Sequence, residues 1–443
     1  MSDKPLDAFS RRDFIQTGAA FTASLMIPSY AYALGSDTLK VGLIGCGGRG
    51  TRGIIQNMQC APGIELIAMG DLVPERLAES RKQIEAEIAK TPELAKSYKL
   101  KDDQCFTGFD AYKKVLATDV DLVMLATPPG FRPLHLAAAV DAGKHVFAEK
   151  PTAVDIAGVR SCLATYEKAK QKNLGIGVGT QRRHHVGYQQ VMKRIQDGAI
   201  GDVLNGQVYW NQGGLWHHAR KPEYSDTEWQ IRNWLYFTWT SGDHIVEQHV
   251  HNIDVANWVM GGPPVRAIGV GGRAARVEPE FGHIFDHFAI DFEYANGVHI
   301  MSMSRQINGA RGRNGEFFQG SKGSSHTSES GPYRIDGASA YSWERDERFV
   351  SPMVQEHADL VNSIRAGKPI NDLKRISESV LTAIMGREAA YTGQIIEYEA
   401  ALAAQQDLSP VPLLAGLGYG PLEVPPVPKP GRTKLERTFN VGW

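Results

Sequence analysis

The sequence predicts an α/β chain: a doubly wound parallel sheet, followed by an α+β domain built on a mostly antiparallel sheet. Three observations carry this. A glycine-rich turn, Gly45-Cys46-Gly47-Gly48-Arg49-Gly50, lies between a predicted strand and a predicted helix. Apolar strand-like runs then alternate with helical stretches as far as residue 181. Beyond Arg182 that rhythm gives way to alternating strands with a hairpin signal. The 443 residues hold more than one domain, since single cores seldom grow past roughly 250–300 residues.

The first 33 residues precede the fold. Ser10-Arg11-Arg12-Asp13-Phe14-Ile15 is a twin-arginine pattern, followed by a modest apolar run to Ile27 and an A-x-A site at Ala31-Tyr32-Ala33. The run is too short, and too interrupted by Gln16, Thr17 and Thr22, for a membrane span, which needs about 20 apolar residues. Export to the periplasm and removal near Ala33 are expected.

A nucleotide domain is expected over residues 38–181. Leu39, Val41, Leu43 and Ile44 mark its first strand. In the turn that follows, the first glycine permits the bend and the second lets backbone approach a pyrophosphate. The third lets strand and helix pack closely, and the helix Thr51–Met58 turns its N–H groups to the phosphates. The second strand, Ile64–Met69, ends in Gly70-Asp71. Asp71 stands where a carboxylate accepts from the adenosine ribose hydroxyls, which favours NAD over NADP. A charged helical stretch, Pro74–Lys99, breaks at Thr91-Pro92, and a short helix covers Asp110–Leu116. A strand at Val120–Ala126 ends at Thr127-Pro128-Pro129, where cofactor loops commonly sit. The rhythm continues through a helix His135–Ala142, a strand His145–Ala148, a helix Asp155–Lys172 and a strand Leu174–Val178. Expected cofactor contacts are Gly45, Gly47, Gly48, Arg49, Gly50, Asp71, Thr127, Pro128, Glu149 and Lys150.

The second domain is expected over 182–400. A helix Tyr188–Gln196 leads to strands at Val203–Trp210, Val265–Val270, His287–Tyr294 and Val298–Arg305, the last two joined by Ala295-Asn296-Gly297. Gly309–Gly337, rich in Gly, Ser and Arg, reads as a long loop. Helices Val354–Arg365 and Ile376–Tyr391 precede a proline-rich tail over 401–443, expected to run extended over another surface or another subunit.

The chemistry concentrates in two further places. Glu149-Lys150-Pro151 puts an amine at the carboxyl end of a parallel strand, where ligands of open α/β sheets bind. Gly242–Asp254 opens a helix expected to run to Met260, with Glu247, His251 and Asp254 four and three residues apart on one face. An imidazole between two carboxylates has its pKa raised while burial lowers it, which leaves it poised for proton transfer. His249 falls on a different face, and no metal site is expected. An aromatic stretch holding Trp210, Trp216, Trp229, Trp234 and Trp239 is interleaved with His217, His218, Arg220 and Arg232. Flat faces beside polar donors suit a sugar ring, and they suit core or subunit packing equally. Arg183, Trp216, His217, Trp234 and His249 are the expected substrate contacts.

Composition narrows the field. The 48 basic and 49 acidic residues nearly cancel, so nothing points to nucleic acid or to stable membrane insertion. The cysteines, Cys46, Cys60, Cys105 and Cys162, show no C-x-x-C spacing.

Taken together, Gly45, Gly47 and Gly50, Glu149-Lys150-Pro151, Thr180-Gln181-Arg182-Arg183 and Gly242–Asp254 make the chain resemble the glucose-fructose oxidoreductase, inositol dehydrogenase and rhizopine-catabolism (Gfo/Idh/MocA) family over Leu39–Tyr391. The resemblance implies a Rossmann domain followed by an open-faced domain used for substrate and subunit contacts, hence a dimer or tetramer. It also implies that Lys150 touches the reacting hydroxyl of a sugar or cyclitol and that His251 belongs to an Asp-x-x-x-His pair. Glu247 stands where the family has aspartate, and His249 where it often has glycine. Hydride transfer to nicotinamide is the expected reaction, with His251 as base, Glu247 orienting it and Lys150 stabilising the alkoxide. An exported enzyme has no replenished nicotinamide pool, so the cofactor should be retained. An NAD-dependent glycosidase working through a transient keto sugar is the alternative enzyme, and a secreted carbohydrate-binding protein is the alternative outside catalysis.

Overall fold

The computed structural model describes residues 38–411, 414 and 419–438, so the twin-arginine pattern and the A-x-A site lie outside the described residues. Six strands form the first sheet: β1 (Leu39–Ile44), β2 (Ile64–Asp71), β3 (Cys105–Thr107), β4 (Leu122–Leu125), β5 (His145–Ala148) and β6 (Ile176–Val178). Every pairing is parallel, in the order β3-β2-β1-β4-β5-β6. The order reverses between β1 and β4, which opens a crevice at the strands' carboxyl ends. Val41, Leu43, Val123 and Val146 are fully enclosed, as strands covered by helices on both faces require. β3 carries no legible signal, because three residues at a sheet edge are too few to show a period. The charged stretch after Asp71 forms a helix only over Pro74–Lys90, then a 3₁₀ turn over Pro92–Ser97. Pro92 disfavours helical angles at Thr91 and ends the first helix there.

The second sheet has nine strands: β7 (Val203–Gln212), β8 (Arg266–Gly272), β9 (His287–Glu293), β10 (His299–Gln306), β11 (Arg313–Gly320), β12 (Gly323–Thr327), β13 (Tyr333–Gly337), β14 (Tyr341–Trp343) and β15 (Ile396–Glu397). Their order is β14-β13-β12-β11-β7-β10-β9-β8-β15, and only β7 and β10 run parallel. Alternate residues of β9 and β10 (Phe288, Ile290, Phe292, Ile300) point inward onto the helices Val250–Met260 and Leu373–Thr392. The outward residues Ile268, Val270, Met301 and Met303 stay exposed.

Two expectations give way here. Gly309–Gly337 is not a loop: it supplies β11, β12 and β13. Its inward positions include Glu316, Ser325 and Thr327, so a polar core hides the alternation that an apolar one would display. Glu316 accepts from Arg182, Tyr188, Asn252 and Thr327, which satisfies it. The single helix expected up to Met260 is two, His244–Glu247 and Val250–Met260, parted at Gln248-His249.

The chain from Thr38 onward forms one compact unit, and its C-terminal part returns to the first sheet. Ala358, Leu360 and Val361 of the helix Pro352–Arg365 join the core formed by β1, β2 and the helix Gly48–Cys60. Ile176 of β6 exchanges backbone hydrogen bonds with Ile370 and Asp372 at 2.8 Å each. The described residues of the proline-rich tail run over their own chain. Leu408 donates to Asp155 (2.7 Å), Leu422 accepts from Gln230 (2.7 Å), and Arg437 forks onto the buried Glu388 (2.8 and 2.9 Å).

Candidate active site and cofactor cleft

A cleft of about 520 Å³ lies along the carboxyl ends of β1, β2 and β4. Its floor is the glycine turn, and a test Cβ at each glycine separates their tasks. At Gly45, where φ is +99°, it would lie 2.5 Å from the Thr127 nitrogen. At Gly50 it would lie 1.9 Å from the Gly45 carbonyl oxygen. At Gly47 and Gly48 it meets nothing within 4 Å. Gly45 and Gly50 are therefore glycines for the fold's own packing, while Gly47 and Gly48 leave an open floor before a helix N-terminus. That floor fits a pyrophosphate, because the first N–H groups of the helix Gly48–Cys60 have no intrahelical acceptor.

Asp71 lines the cleft but has a structural task as well. Its Oδ2 accepts from the Cys46 N–H (2.6 Å) and its Oδ1 from the Val73 N–H (2.8 Å), so it braces the glycine turn against the loop after β2. Burial raises its pKa, partly offset by those two hydrogen bonds. Thr127 and Pro128 line the opposite wall. Arg49 also lines the cleft, and its guanidinium bridges Glu149 and Glu356, the latter at 3.2 Å. Glu149 thereby ties the Lys150 strand end to the cofactor turn.

Next along the chain, Lys150 donates to the Glu247 carboxylate (Oε1, 2.9 Å) and to the Glu247 carbonyl. The other carboxylate oxygen of Glu247, Oε2, and Nδ1 of His251 are buried with no hydrogen-bond partner among the described residues. Such groups are costly to enclose unless something else satisfies them. The structure thus brings Lys150, Glu247 and His251 together. Glu247 is held by Lys150, and Asp254 turns away to Arg183 (2.8 and 2.9 Å) and Ser379 (2.9 Å). With neither carboxylate committed to it, His251 has a pKa well below the ordinary histidine value. Burial is the largest cause, followed by the charges of Lys150, Arg182 and Arg49. The balance expected from two flanking carboxylates is corrected accordingly: this histidine is neutral.

Trp210 of β7 stacks on the His251 ring, with centroids 5.7 Å apart, and Arg182 lies over the same indole at 5.5 Å. Trp210 is one of the five tryptophans of the aromatic stretch, and its stacking on His251 is what sets it apart from the others.

The expected substrate contacts scatter. Arg183 is committed to Asp254 and to the face of Trp258, 4.4 Å away. His249 is fully enclosed, bonded to Ser302 (2.7 Å) and Asn252 (3.3 Å). His217 packs edge-on against Phe281 and is absent from the cleft lining. Trp216 and Trp234 line the cofactor cleft. Among the described residues, no three His, Cys, Asp or Glu side chains gather as a metal site would require.

Comparison with known proteins agrees with this geometry. Residues 39–179 match the oxidoreductase family with an NAD-binding Rossmann fold, and residues 188–326 match the GFO/IDH/MocA C-terminal domain. Inositol 2-dehydrogenase 3 of Saccharopolyspora erythraea is 26% identical over 265 residues, covering 59% of this chain and 65% of that protein. Glycosyl hydrolase family 109 protein 1 of Bacteroides fragilis is 27% identical over 227 residues, 51% of this chain and 46% of that protein. The fold is that of aldose-aldose oxidoreductase from Caulobacter crescentus, with a TM-score of 0.63 and 19% identity over 82% of this chain and 100% of that one. The chain belongs to the Gfo/Idh/MocA family of NAD-binding oxidoreductases.

Proposed function

We propose that this chain oxidises a secondary hydroxyl of a sugar or cyclitol by hydride transfer to an NAD that it keeps bound. The observation that carries this reading is the assembly of Lys150, Glu247 and neutral His251, with one buried oxygen and one buried ring nitrogen left unpaired. NAD, when bound, takes the hydride. His251, neutral as its surroundings dictate, accepts the hydroxyl proton. Lys150 steadies the oxygen that becomes negative, and Glu247 fixes the amine in place for that task. Trp210 holds the His251 ring by stacking. His251→Ala and Lys150→Met should each lower kcat by about a hundredfold or more. Near-normal turnover in both variants would remove the assignment.

A second reading rests on the family 109 glycosyl hydrolase of Bacteroides fragilis, whose 27% identity to this chain is close to the 26% of the Saccharopolyspora erythraea inositol 2-dehydrogenase. The same residues would oxidise a glycoside, and the hydride would return after cleavage with no net redox change. Aryl glycosides and free sugars assayed side by side separate the two, since only the second reading yields cleavage without lasting reduction of NAD.

Export by the twin-arginine route is part of the proposal. Arg11-Arg12 and Ala31-Tyr32-Ala33 support it. Replacing both arginines by lysine should leave the protein in the cytoplasmic fraction, and unaltered secretion would overturn it.

A further inference from the structure

The cofactor cleft has a wall that its family fingerprint does not supply. Between β7 and the helix His244–Glu247 the chain makes a long aromatic excursion. From it Trp216, His218 and Trp234 line the cleft opposite Asp71–Val73 and Phe109. That is the adenosine end, because β2 and β3 end there, whereas Lys150 follows β5. Trp216 lies 6.0 Å from Trp234 and 5.0 Å from His218, ring to ring. Arg232, two residues before Trp234, reaches Glu75 on the helix after β2 (2.6 Å). The tail then covers the excursion from outside. Gly420 and Leu422 accept from Thr227 (2.9 Å) and Gln230 (2.7 Å), and Tyr419 packs on Phe109 with centroids 5.4 Å apart. Leu72 and Phe109 from the nucleotide half, Trp229 and Phe237 from the excursion, and Val411 and Leu422 from the tail share one apolar cluster.

We propose that Trp216 and Trp234 form the adenosine-binding wall of the NAD site, and that the tail around Tyr419 straps this wall down so that it governs how fast cofactor leaves. The inference deepens the retained-cofactor reading above and rests on it for its biological purpose. Trp216 is 45% exposed and Tyr419 41%, so their substitution leaves the core intact. The strap also gives a purpose to the hydrogen bonds that hold Gly420 and Leu422 of the tail to their own chain.

The test uses the full-length protein and two probes, NAD and nicotinamide mononucleotide, which lacks the adenosine half. Dissociation rates and affinities are measured for the wild type, Trp216→Ala, Trp216→Phe and Tyr419→Ala. Loss of an aromatic face against an adenine should speed NAD release roughly tenfold or more. Trp216→Phe should restore most of the difference, Tyr419→Ala should speed release in the same direction, and affinity for the mononucleotide should stay unchanged throughout. Equal NAD release from all four proteins overturns the inference, as does a parallel loss for both probes. If the wild type itself releases NAD within seconds but the tenfold ratio persists, the wall stands and the retained-cofactor reading fails.

Discussion

Two glycines in the same turn should fail in opposite ways when given a methyl group. At Gly50 the new Cβ would sit 1.9 Å from the Gly45 carbonyl oxygen and 3.1 Å from the Ala126 Cβ. Both are fixed by the sheet, so neither can swing aside as a long side chain would. Overpacking of this kind costs about 1–3 kcal/mol, and a backbone oxygen as the obstacle places Gly50→Ala at the upper end. Helix propensity returns about 1 kcal/mol, which leaves a net loss of about 2 kcal/mol. At Gly47 the Cβ meets nothing, and φ and ψ of −71° and 178° suit alanine. Its poorer N-cap and its reduced unfolded-state entropy nearly cancel, at about 0.5–1 kcal/mol each. The methyl would instead occupy the space a pyrophosphate needs and displace it from the helix N–H groups. One lost hydrogen bond to a charged group is worth about 1.5–3 kcal/mol, or at least about tenfold in affinity. Urea unfolding of the NAD-free protein and titration with NAD read the two quantities separately. Gly50→Ala should lose stability, and Gly47→Ala should lose affinity at unchanged stability. If Gly50→Ala unfolds with the wild type, or Gly47→Ala binds NAD normally, the division of labour drawn from the turn is wrong.

Two further outcomes test other parts of the molecule. Because burial and three cations hold His251 well below the ordinary histidine range, it stays unprotonated and able to accept a proton at acid pH. The kcat/KM profile should therefore stay flat below pH 6.5, and Lys150→Met, by removing one of those cations, should move the acid limb upward. A limb in the wild type at an ordinary histidine pKa would contradict this. The exposed sheet face carries Val270 (70% exposed), Ile268, Met301 and Met303, which suits burial against a second copy, as the dimer or tetramer expected from the family resemblance would require. Val270→Lys with Met303→Lys should shift the light-scattering mass to that of a monomer, and a wild type already monomeric at micromolar concentration would refute the proposal.

The nucleotide half was legible because its signals are local. Strands buried on both faces read as apolar runs, the glycine turn follows one of them, and Asp155 caps its helix at a position visible in sequence. The second sheet was legible only where its inward residues are apolar, as in β9 and β10. In β11 and β12 the inward set includes Glu316, Ser325 and Thr327, whose stability comes from Arg182 and Tyr188, 134 and 128 residues from Glu316. No pattern within one strand can reveal a partner that distant. The same limit applies to the site. Lys150, Glu247 and His251 were nameable from motif and spacing, but helical spacing misplaced Asp254, since it could not show Arg183 and Ser379 competing for that carboxylate. Trp216 and Trp234 were visible as aromatic surface, while the cleft they serve is defined by strands far earlier in the chain, β1, β2 and β4.

The return of the helix Pro352–Arg365 to the first sheet bears on biosynthesis. Leu360 fills the space beside Gly175 and Gly177, and Ile370–Asp372 runs along β6, the last strand of that sheet. A ribosome that has released only the first 181 residues has therefore made a half-finished object, with an uncovered strand edge and a gap where Leu360 belongs. Arg49 likewise waits for Glu356. Nucleotide capture is therefore expected only after translation has passed residue 372, and a gene fragment encoding the dinucleotide half alone is expected to yield an aggregation-prone polypeptide instead of a small NAD-binding protein.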